Sequence, residues 1–340
     1  MSLISNYDPK KIGIATVCSH SALQIFHGAK QEGFPTFGLT LPYLKQTYES
    51  FPLANPDKYF EISSFDKMID KKIQQELIDQ NTIIIPHGSF VEYVGADDLL
   101  KKFHVPIFGN KLSLEWESSR TKVDTWMRLA DLKVPEYRTP DEIDSLCIVK
   151  MGGAKGGKGF YLAHDKKEFY DKLKSKNVED IVIQEYVVGV RYYHHFFNSV
   201  LRNRVEFLGT DQRLESNVDG LHRIREYVEP SYTVTGNAPV ILRESLLPQV
   251  MKMGENVVKA SKELFPPGIT GPFCVETICT PDLEFFAFEI SARIVAGTNL
   301  YPNGSQYSCY YFEEPMSTGR RIAREIKEAI QNDAIEKVVS

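Results

Sequence analysis

The sequence has no run of 18 apolar residues, which excludes a membrane-spanning helix. Its first eleven residues are polar and lack the apolar core of a signal peptide. Only five of the 340 residues are cysteines, and no CxxC pair indicates a zinc site. Scattered cysteines in a chain without an export signal are typical of a reducing compartment. We therefore expect a cytoplasmic protein with no membrane partner.

Basic residues are not in excess, since 40 lysines and arginines stand against 45 aspartates and glutamates, for a net charge of −5. This balance argues against a nucleic-acid partner. The composition, 42% hydrophobic and 25% charged, is that of a globular protein. A chain of 340 residues suits two or three packed units.

Residues 1–114 predict a Rossmann-like open parallel sheet. One apolar strand ends at Ser19-His20-Ser21, which begins a helix, and another ends at Pro86-His87-Gly88-Ser89. Ligands of open parallel sheets bind beyond the carboxyl ends of the strands. We therefore expect His20 and Ser89 to contact a ligand, with a helix cap as the alternative role for His20.

Residues 115–190 predict a small lid with the order strand, glycine loop, strand, helix, strand. A helix over 117–132 precedes these elements, with Arg120 and Lys122 near its start. The first strand of the lid is apolar apart from Lys150. A lysine at the end of a buried strand is costly unless it meets an anion, so Lys150 is a candidate phosphate contact.

The glycine loop of the lid is Gly152-Gly153-Ala154-Lys155-Gly156-Gly157-Lys158-Gly159. Backbone amides without neighbouring Cβ atoms approach phosphate oxygens closely, and the lysines add positive charge. No Lys-Ser/Thr pair ends the loop, and a strand follows it, so it is a hairpin flap rather than a Walker loop. The alternative is a solvated, flexible hairpin. The candidate ATP contacts are Gly153, Lys155, Gly156, Gly157 and Lys158.

A further strand, 181–187, leaves the lid and returns to the main body of the protein. Its exposed backbone N–H and C=O groups are suited to pair with the edge of a purine. The candidate contacts are Gln184, Glu185, Tyr186 and Val187.

Residues 191–340 predict an antiparallel sheet that ends in a hairpin with strands at 273–279 and 284–290. A two-residue turn places Glu276 directly opposite Glu289, and a four-residue loop makes them diagonal neighbours. In either case the two carboxylates share one face of the sheet, with Cβ atoms about 5–7 Å apart.

Two carboxylates this close repel each other, by roughly 4 kcal/mol at 4 Å and an effective dielectric constant of 20. A bound cation removes that cost, and hard oxygen ligands suit Mg²⁺ carried by a nucleotide, with Mn²⁺ as the alternative ion. Glu276 and Glu289 are therefore candidate metal ligands, unless they lie on a solvated sheet face. Arg293 continues the alternation and is a candidate for a terminal phosphate.

In this order along the chain, the helix cation, strand lysine, glycine flap and acidic hairpin resemble an ATP-grasp ligase over about residues 115–300. The resemblance implies an α/β (α+β) ATP-grasp fold, with an N-terminal Rossmann-like sheet domain (1–114), a glycine-flap lid (115–190) and a C-terminal antiparallel-sheet domain (191–340). The usual pattern has asparagine at the position of Ser291. Its helix cation is a lysine, for which Arg120 is the best match here.

Motifs over nearly the full length are similar to formate-dependent 5-formaminoimidazole-4-carboxamide ribonucleotide synthetases of the ATP-grasp superfamily. These motifs include Ser19-His20-Ser21, Trp116-Glu117-Ser118, Glu215-Ser216-Asn217, Thr235-Gly236-Asn237 and Glu289-Ile290-Ser291-Ala292-Arg293. The resemblance implies that ATP, formate and aminoimidazole carboxamide ribonucleotide (AICAR) give ADP, phosphate and the formylated ribonucleotide in purine biosynthesis. It also implies AICAR near His20, Ser89 and Asn237, and ATP near the lid and Glu215.

Three points stay open at this level. A related ligase with another carboxylate or amine, or a nucleotide-binding regulator without turnover, carries similar motifs. His194 and His195 point to opposite faces of a strand, so at most one lines the cleft, where it is a candidate base. We expect a homo-oligomer, although the apolar C-terminal helix and the aromatic segment 307–312 suit a core as well as an interface.

Overall fold

The computed structural model of the chain describes residues 4, 6–151, 160–173, 181–216 and 233–340. The first of its three sheets is parallel, with the strand order β3-β2-β1-β4. Every residue of β1 and β2 is buried, as in a sheet covered on both faces. The predicted open parallel sheet is confirmed, although β3 was not predicted. Its strands are β1 (Gly13–Val17), β2 (Thr36–Thr40), β3 (Lys58–Glu61) and β4 (Thr82–Ile84).

Helices α1 (Ala22–Gln31), α2 (Lys45–Glu49), α3 (Lys71–Asp79) and α4 (Ala96–Lys102) belong to this part of the fold. The C-terminal helix α9 (Thr318–Gln331) also packs here, because its buried isoleucines share a core cluster with β1 and α1. Helices α1 and α9 meet at glycines: a Cβ on Gly28 would lie 2.1 Å from the backbone nitrogen of Arg320. The chain therefore closes on its own first sheet.

The second sheet is antiparallel, with the order β5-β8-β6-β7. Its small core consists of Ile143, Cys147, Val149, Tyr161, Ala163, Phe169 and Ile183. The elements are β5 (Tyr137–Arg138), β6 (Cys147–Met151), β7 (Phe160–Ala163), α7 (Lys166–Leu173) and β8 (Ile181–Glu185). The glycine loop of the predicted flap lies outside the described residues.

The third sheet has the order β11-β10-β9-β12-β13. One of its faces packs on helices in the largest core cluster, where the Trp126 indole donates to the Val257 carbonyl at 2.9 Å. The elements are α5 (Lys111–Ser118), α6 (Arg120–Leu129), β9 (Val190–Ser199), β10 (Arg204–Glu215), β11 (Val234–Val240), α8 (Leu247–Leu264), β12 (Gly271–Cys279) and β13 (Phe285–Ser291). In the part of the chain that the structure describes, no helix has the length and apolar character to cross a membrane.

The helix predicted over 117–132 is confirmed as α6, but it begins at Arg120, because the chain breaks at Ser119 between α5 and α6. Ser119 is extended, and its hydroxyl accepts a hydrogen bond from the Lys122 backbone at 3.4 Å, which is N-cap chemistry. The break places Glu117 at the end of one helix and Arg120 at the start of the next.

The hairpin of β12 and β13 places Glu276 directly opposite Glu289, as the shorter predicted turn requires. The turn itself differs from both predictions. Thr280 and Glu284 close a three-residue loop in which Leu283 has a positive φ of 62°. The register shifts by one residue beyond Glu276, where Phe288 is the additional residue, so this bulge restores the pairing of the carboxylates.

Candidate active site

A cleft of about 820 Å³ lies between the second and third sheets. Every described residue that was predicted to bind ATP, its terminal phosphate or metal lines this cleft. These are Arg120, Lys150, Gln184, Glu185, Tyr186, Val187, Glu215, Glu276, Glu289 and Arg293. The predicted loop contacts Gly153, Lys155, Gly156, Gly157 and Lys158 lie outside the described residues.

The floor of the cleft is the polar face of the third sheet. Strand pairing aligns Glu289, Glu276 and Tyr193 on three adjacent strands. On β10, Arg213 and Glu215 follow at two-residue spacing, and both line the cleft. One sheet face therefore carries both the acidic pair and the cations that surround it.

The two predicted metal ligands have different surroundings. Glu276 accepts from Arg213 through both oxygens, at 2.9 and 3.2 Å, and from the Ser291 hydroxyl at 3.1 Å. Ser291, which replaces the usual asparagine, thus contacts a carboxylate. The Glu289 carboxylate forms no hydrogen bond with any described residue. Burial, and then the charges of Glu276 and Glu117, raise the pKa of Glu289 to about 8.

This donor set fits a divalent cation. Two opposed carboxylates offer hard oxygens, and burial beside Glu276 and Glu117 makes the ionised form of Glu289 unfavourable unless a further cation is bound. Among the described residues, no cluster of three His, Cys, Asp or Glu side chains is able to hold a metal alone. Two protein ligands leave coordination positions for phosphate oxygens, as in metal sites that nucleotides complete.

Glu289→Gln should stabilise the metal-free protein at alkaline pH. The folded-state pKa of about 8 lies above the unfolded value of roughly 4.3, so the wild type loses stability as pH rises through this window. A neutral glutamine is free of that loss. With EDTA present, we expect the variant to melt several degrees higher than the wild type at pH 9, by a smaller margin at pH 6, and within about a degree of it at pH 4, where the carboxyl group is mostly protonated in both states. Equal melting temperatures at pH 9 would contradict the electrostatic assignment.

Cations line the opposite wall of the cleft. Lys150 donates to the Gln184 side chain at 2.6 Å, so β6 and β8 present a lysine and an amide together. Burial lowers the pKa of Lys150, and the negative charge of Glu289 opposes that effect. On the floor of the cleft, Arg191 of β9 pairs with Glu215 at 2.6 Å. The predicted helix cation, Arg120, also lines the cleft.

Sequence reasoning assigned no role to two residues that organise the site. Glu117 is buried, accepts from Arg293 at 2.9 Å and from the Ala292 backbone at 2.8 Å, and burial raises its pKa. Arg213 binds Glu276 and stacks 3.6 Å above the Tyr193 ring. Only the charged alternation Asp211, Arg213, Glu215 along one strand signalled Arg213.

The predicted AICAR residues lie beside the cleft and do not line it. Ser89 donates to the Ser19 hydroxyl at 3.0 Å, which joins the ends of the first and fourth strands. A Cβ on Gly88 would lie 2.8 Å from His20 Nε2 and 3.6 Å from the Arg293 guanidinium carbon. The N-cap residue of α1 is Ser21 and not His20. Arg293 therefore belongs to both groups of residues.

The third predicted AICAR residue, Asn237, lies opposite Arg213 and donates to Asp211 at 2.6 Å. Neither His194 nor His195 lines the cleft. His194 is in the core between the hydroxyls of Thr210 and Thr277, at 3.0 Å from each. The candidate-base role is therefore not supported for His194.

Comparisons with known proteins agree with this geometry. A model described as Domain of unknown function (DUF1297) matches residues 164–340, and one described as Protein of unknown function (DUF1246) matches residues 14–138. The chain is similar to the crystal structure of N5-carboxyaminoimidazole ribonucleotide synthetase in its ADP complex, at 15% identity and a TM-score of 0.64, over 92% of this chain and 76% of that one. The fold and the cleft define an ATP-grasp ligase.

Two relatives are much more similar. The 5-formaminoimidazole-4-carboxamide-1-(beta)-D-ribofuranosyl 5'-monophosphate synthetase of Korarchaeum cryptofilum is 48% identical, over 100% of this chain and 98% of that protein. The crystal structure of an IMP biosynthesis protein PurP from Thermococcus kodakaraensis is 33% identical, with a TM-score of 0.78, over 96% of this chain and 100% of that one. The chain belongs to the 5-formaminoimidazole-4-carboxamide ribonucleotide synthetase family.

Proposed function

We propose that the protein is a ligase that formylates AICAR with ATP and formate, releasing ADP and phosphate, in purine biosynthesis. Its membership of a family whose members are named for the product supports this. The observation that carries the proposal is the position of Arg293. It lines the ATP cleft with Lys150 and also lies beside Gly88 and His20, where the ribonucleotide would bind.

The chemistry needs two steps, because the oxygen of formate is a poor leaving group. A formate oxygen attacks the γ-phosphorus, the bond to ADP breaks, and formyl phosphate forms. The exocyclic amine of AICAR then attacks the formyl carbon, phosphate leaves with the bonding electrons, and the amine loses a proton. No side-chain nucleophile is required, so position and charge are the contributions expected of the protein.

Each group in the cleft has a corresponding role. The Lys150 ammonium and the Arg293 guanidinium would neutralise charge on the transferred phosphoryl group. The backbone of residues 184–187 would receive the adenine edge, and the lid would limit access of water to formyl phosphate. Glu276 and Glu289 would hold Mg²⁺, which when bound supplies charge stabilisation to the ATP phosphates.

Phosphate release tests the proposal. With ATP, Mg²⁺, formate and AICAR all present, we expect phosphate, ADP and a formylated ribonucleotide in equal amounts, and background release when any one is omitted. Phosphate release that is unchanged without AICAR would overturn the proposal. A melting temperature that rises on addition of ATP but does not change on addition of AICAR would instead favour a related ligase with another amine. Light scattering tests the expected homo-oligomer.

A further inference from the structure

Asp211 on β10 is completely buried, yet it faces the polar side of the third sheet. Its two oxygens have separate partners: His195 Nε2 lies 2.7 Å from Oδ1, and Asn237 Nδ2 lies 2.6 Å from Oδ2. Burial alone would raise the pKa of Asp211, but the hydrogen bonds from His195 and Asn237 outweigh it and hold the pKa below its usual value. The group is therefore a carboxylate that only accepts hydrogen bonds.

An acceptor-only partner fixes which way Asn237 is turned. The amide atom that faces Asp211 must be the nitrogen, because two oxygens at 2.6 Å would have no proton between them. Oδ1 of Asn237 consequently points elsewhere, and it accepts no hydrogen bond from any residue that the structure describes. The side chain thus presents an unused acceptor on the sheet face that it shares with Arg213.

His195 and a short helix hold Asp211 in this state. His195 Nε2 must carry its proton in order to donate to Asp211, and its Nδ1 is buried without a partner. On the other side, a Cβ on Gly297 would lie 2.2 Å from Asp211 Oδ1, so no other group fits there. The same short helix, Ala296–Leu300, reaches the first sheet through Asn299, whose amide donates to the His20 carbonyl at 3.0 Å.

We propose that Asp211, supported by His195, is a positioning residue that turns the Asn237 oxygen toward an N–H donor of the aminoimidazole carboxamide base. The inference rests on the proposed function, because it assumes that this base binds beside Asn237. Asn237 lies three strand spacings from Glu276, about 14 Å, at the end of the sheet that adjoins the short helix in contact with His20. The amine and the carboxamide of AICAR both carry N–H donors.

A polarity swap tests the assignment, with AICAR affinity measured by titration calorimetry. Asp211→Asn offers an amide nitrogen to Asn237, which turns Asn237 so that its own nitrogen faces the base. We expect affinity to fall about 10- to 100-fold. Asn237→Asp places two carboxylates together and should weaken binding as much. The double variant D211N/N237D restores one internal hydrogen bond and one outward acceptor, so affinity should return to within about fivefold of the wild type.

A purely structural role would not produce this rescue. KM for ATP should stay within about twofold in all three variants, while KM for AICAR follows the calorimetry. Thr210→Val is the matched control, because it removes the neighbouring buried hydrogen bond to His194 on the opposite face and should leave AICAR affinity unchanged. A folded double variant as weak as D211N would overturn the assignment.

Two AICAR analogues examine the wild-type protein directly, which covers variants that fail to fold. One lacks the 5-amino group, and the other has a carboxylate in place of the carboxamide. We expect at least one to bind about tenfold more weakly than AICAR. The N–H group that this analogue lacks is then the donor to the Asn237 oxygen. If both bind as well as AICAR, the inference is wrong. If AICAR itself does not bind the wild type, it is the proposed function that fails.

Discussion

Glu289→Gln should abolish formyl transfer, lowering kcat by about 10³-fold, in a protein that is folded and at least as stable as the wild type. The substitution keeps the shape of the side chain but removes one of the two charges that would hold Mg²⁺. No described residue forms a hydrogen bond with the Glu289 carboxylate, so the substitution breaks no side-chain hydrogen bond among the described residues. The loss of activity therefore has a direct electrostatic cause.

Glu284→Gln on the same hairpin is the matched control. Glu284 is partly exposed and pairs with Lys133, away from the residues that line the cleft. We expect it to retain activity within about twofold, since exposed ion pairs contribute little. Titration of ATP with and without Mg²⁺ should show metal-enhanced binding in the wild type and in the Glu284 variant, and none in Glu289→Gln. A normal kcat in the Glu289 variant would contradict the assignment of Glu289 as a metal ligand.

If Glu289→Gln gains stability and loses activity, the two adjacent carboxylates serve function and not folding. Burial, and then the charges of Glu276 and Glu117, raise the pKa of Glu289, so the ionised side chain is unfavourable without a nearby cation. Folding alone would favour an uncharged side chain there. Such an unfavourable charge is typical of a site that is built to receive a cation.

The acidic hairpin was predictable because strand geometry has a period of two. Counting residues placed Glu276 and Glu289 on one face for a two-residue turn and for a four-residue loop, and the structure confirms that they share a face. The actual turn was not predictable, because a three-residue loop and the bulge at Phe288 compensate for each other. Each change alone would have moved the pair out of register.

Long-range contacts account for most of what the sequence did not reveal. Nothing local to Glu117 shows that it will bind Arg293, 176 positions later, since the chain must first bring α5 against the end of β13. The docking of α9 on α1 through Gly28 and Gly319 is likewise a tertiary feature. Hydrophobic periodicity in the sequence predicts the helices and strands, but the ion-pair partners of their charged residues depend on the tertiary fold.

Arg293→Met should reduce kcat by about 10²- to 10³-fold and should also destabilise the protein, for two separable reasons. Its Nε is buried and has no acceptor among the described residues, so this N–H group is able to donate to a phosphoryl oxygen. Its Nη2 neutralises the buried Glu117 at 2.9 Å. Removing the arginine leaves that carboxylate unpaired, at a cost of about 3 kcal/mol in unfolding free energy.

The double variant E117Q/R293M separates the two effects. A neutral glutamine no longer needs a cation, so most of the lost stability should return in chemical denaturation, while kcat stays as low as in Arg293→Met. Glu117→Gln alone keeps an oxygen for Arg293 or for the Ala292 backbone, and should lower kcat by less than about tenfold. Recovery of activity together with stability would mean that Arg293 only maintains the fold. Stability without activity would place the guanidinium at the transferred phosphoryl group, where the ATP cleft meets the ribonucleotide side of the site.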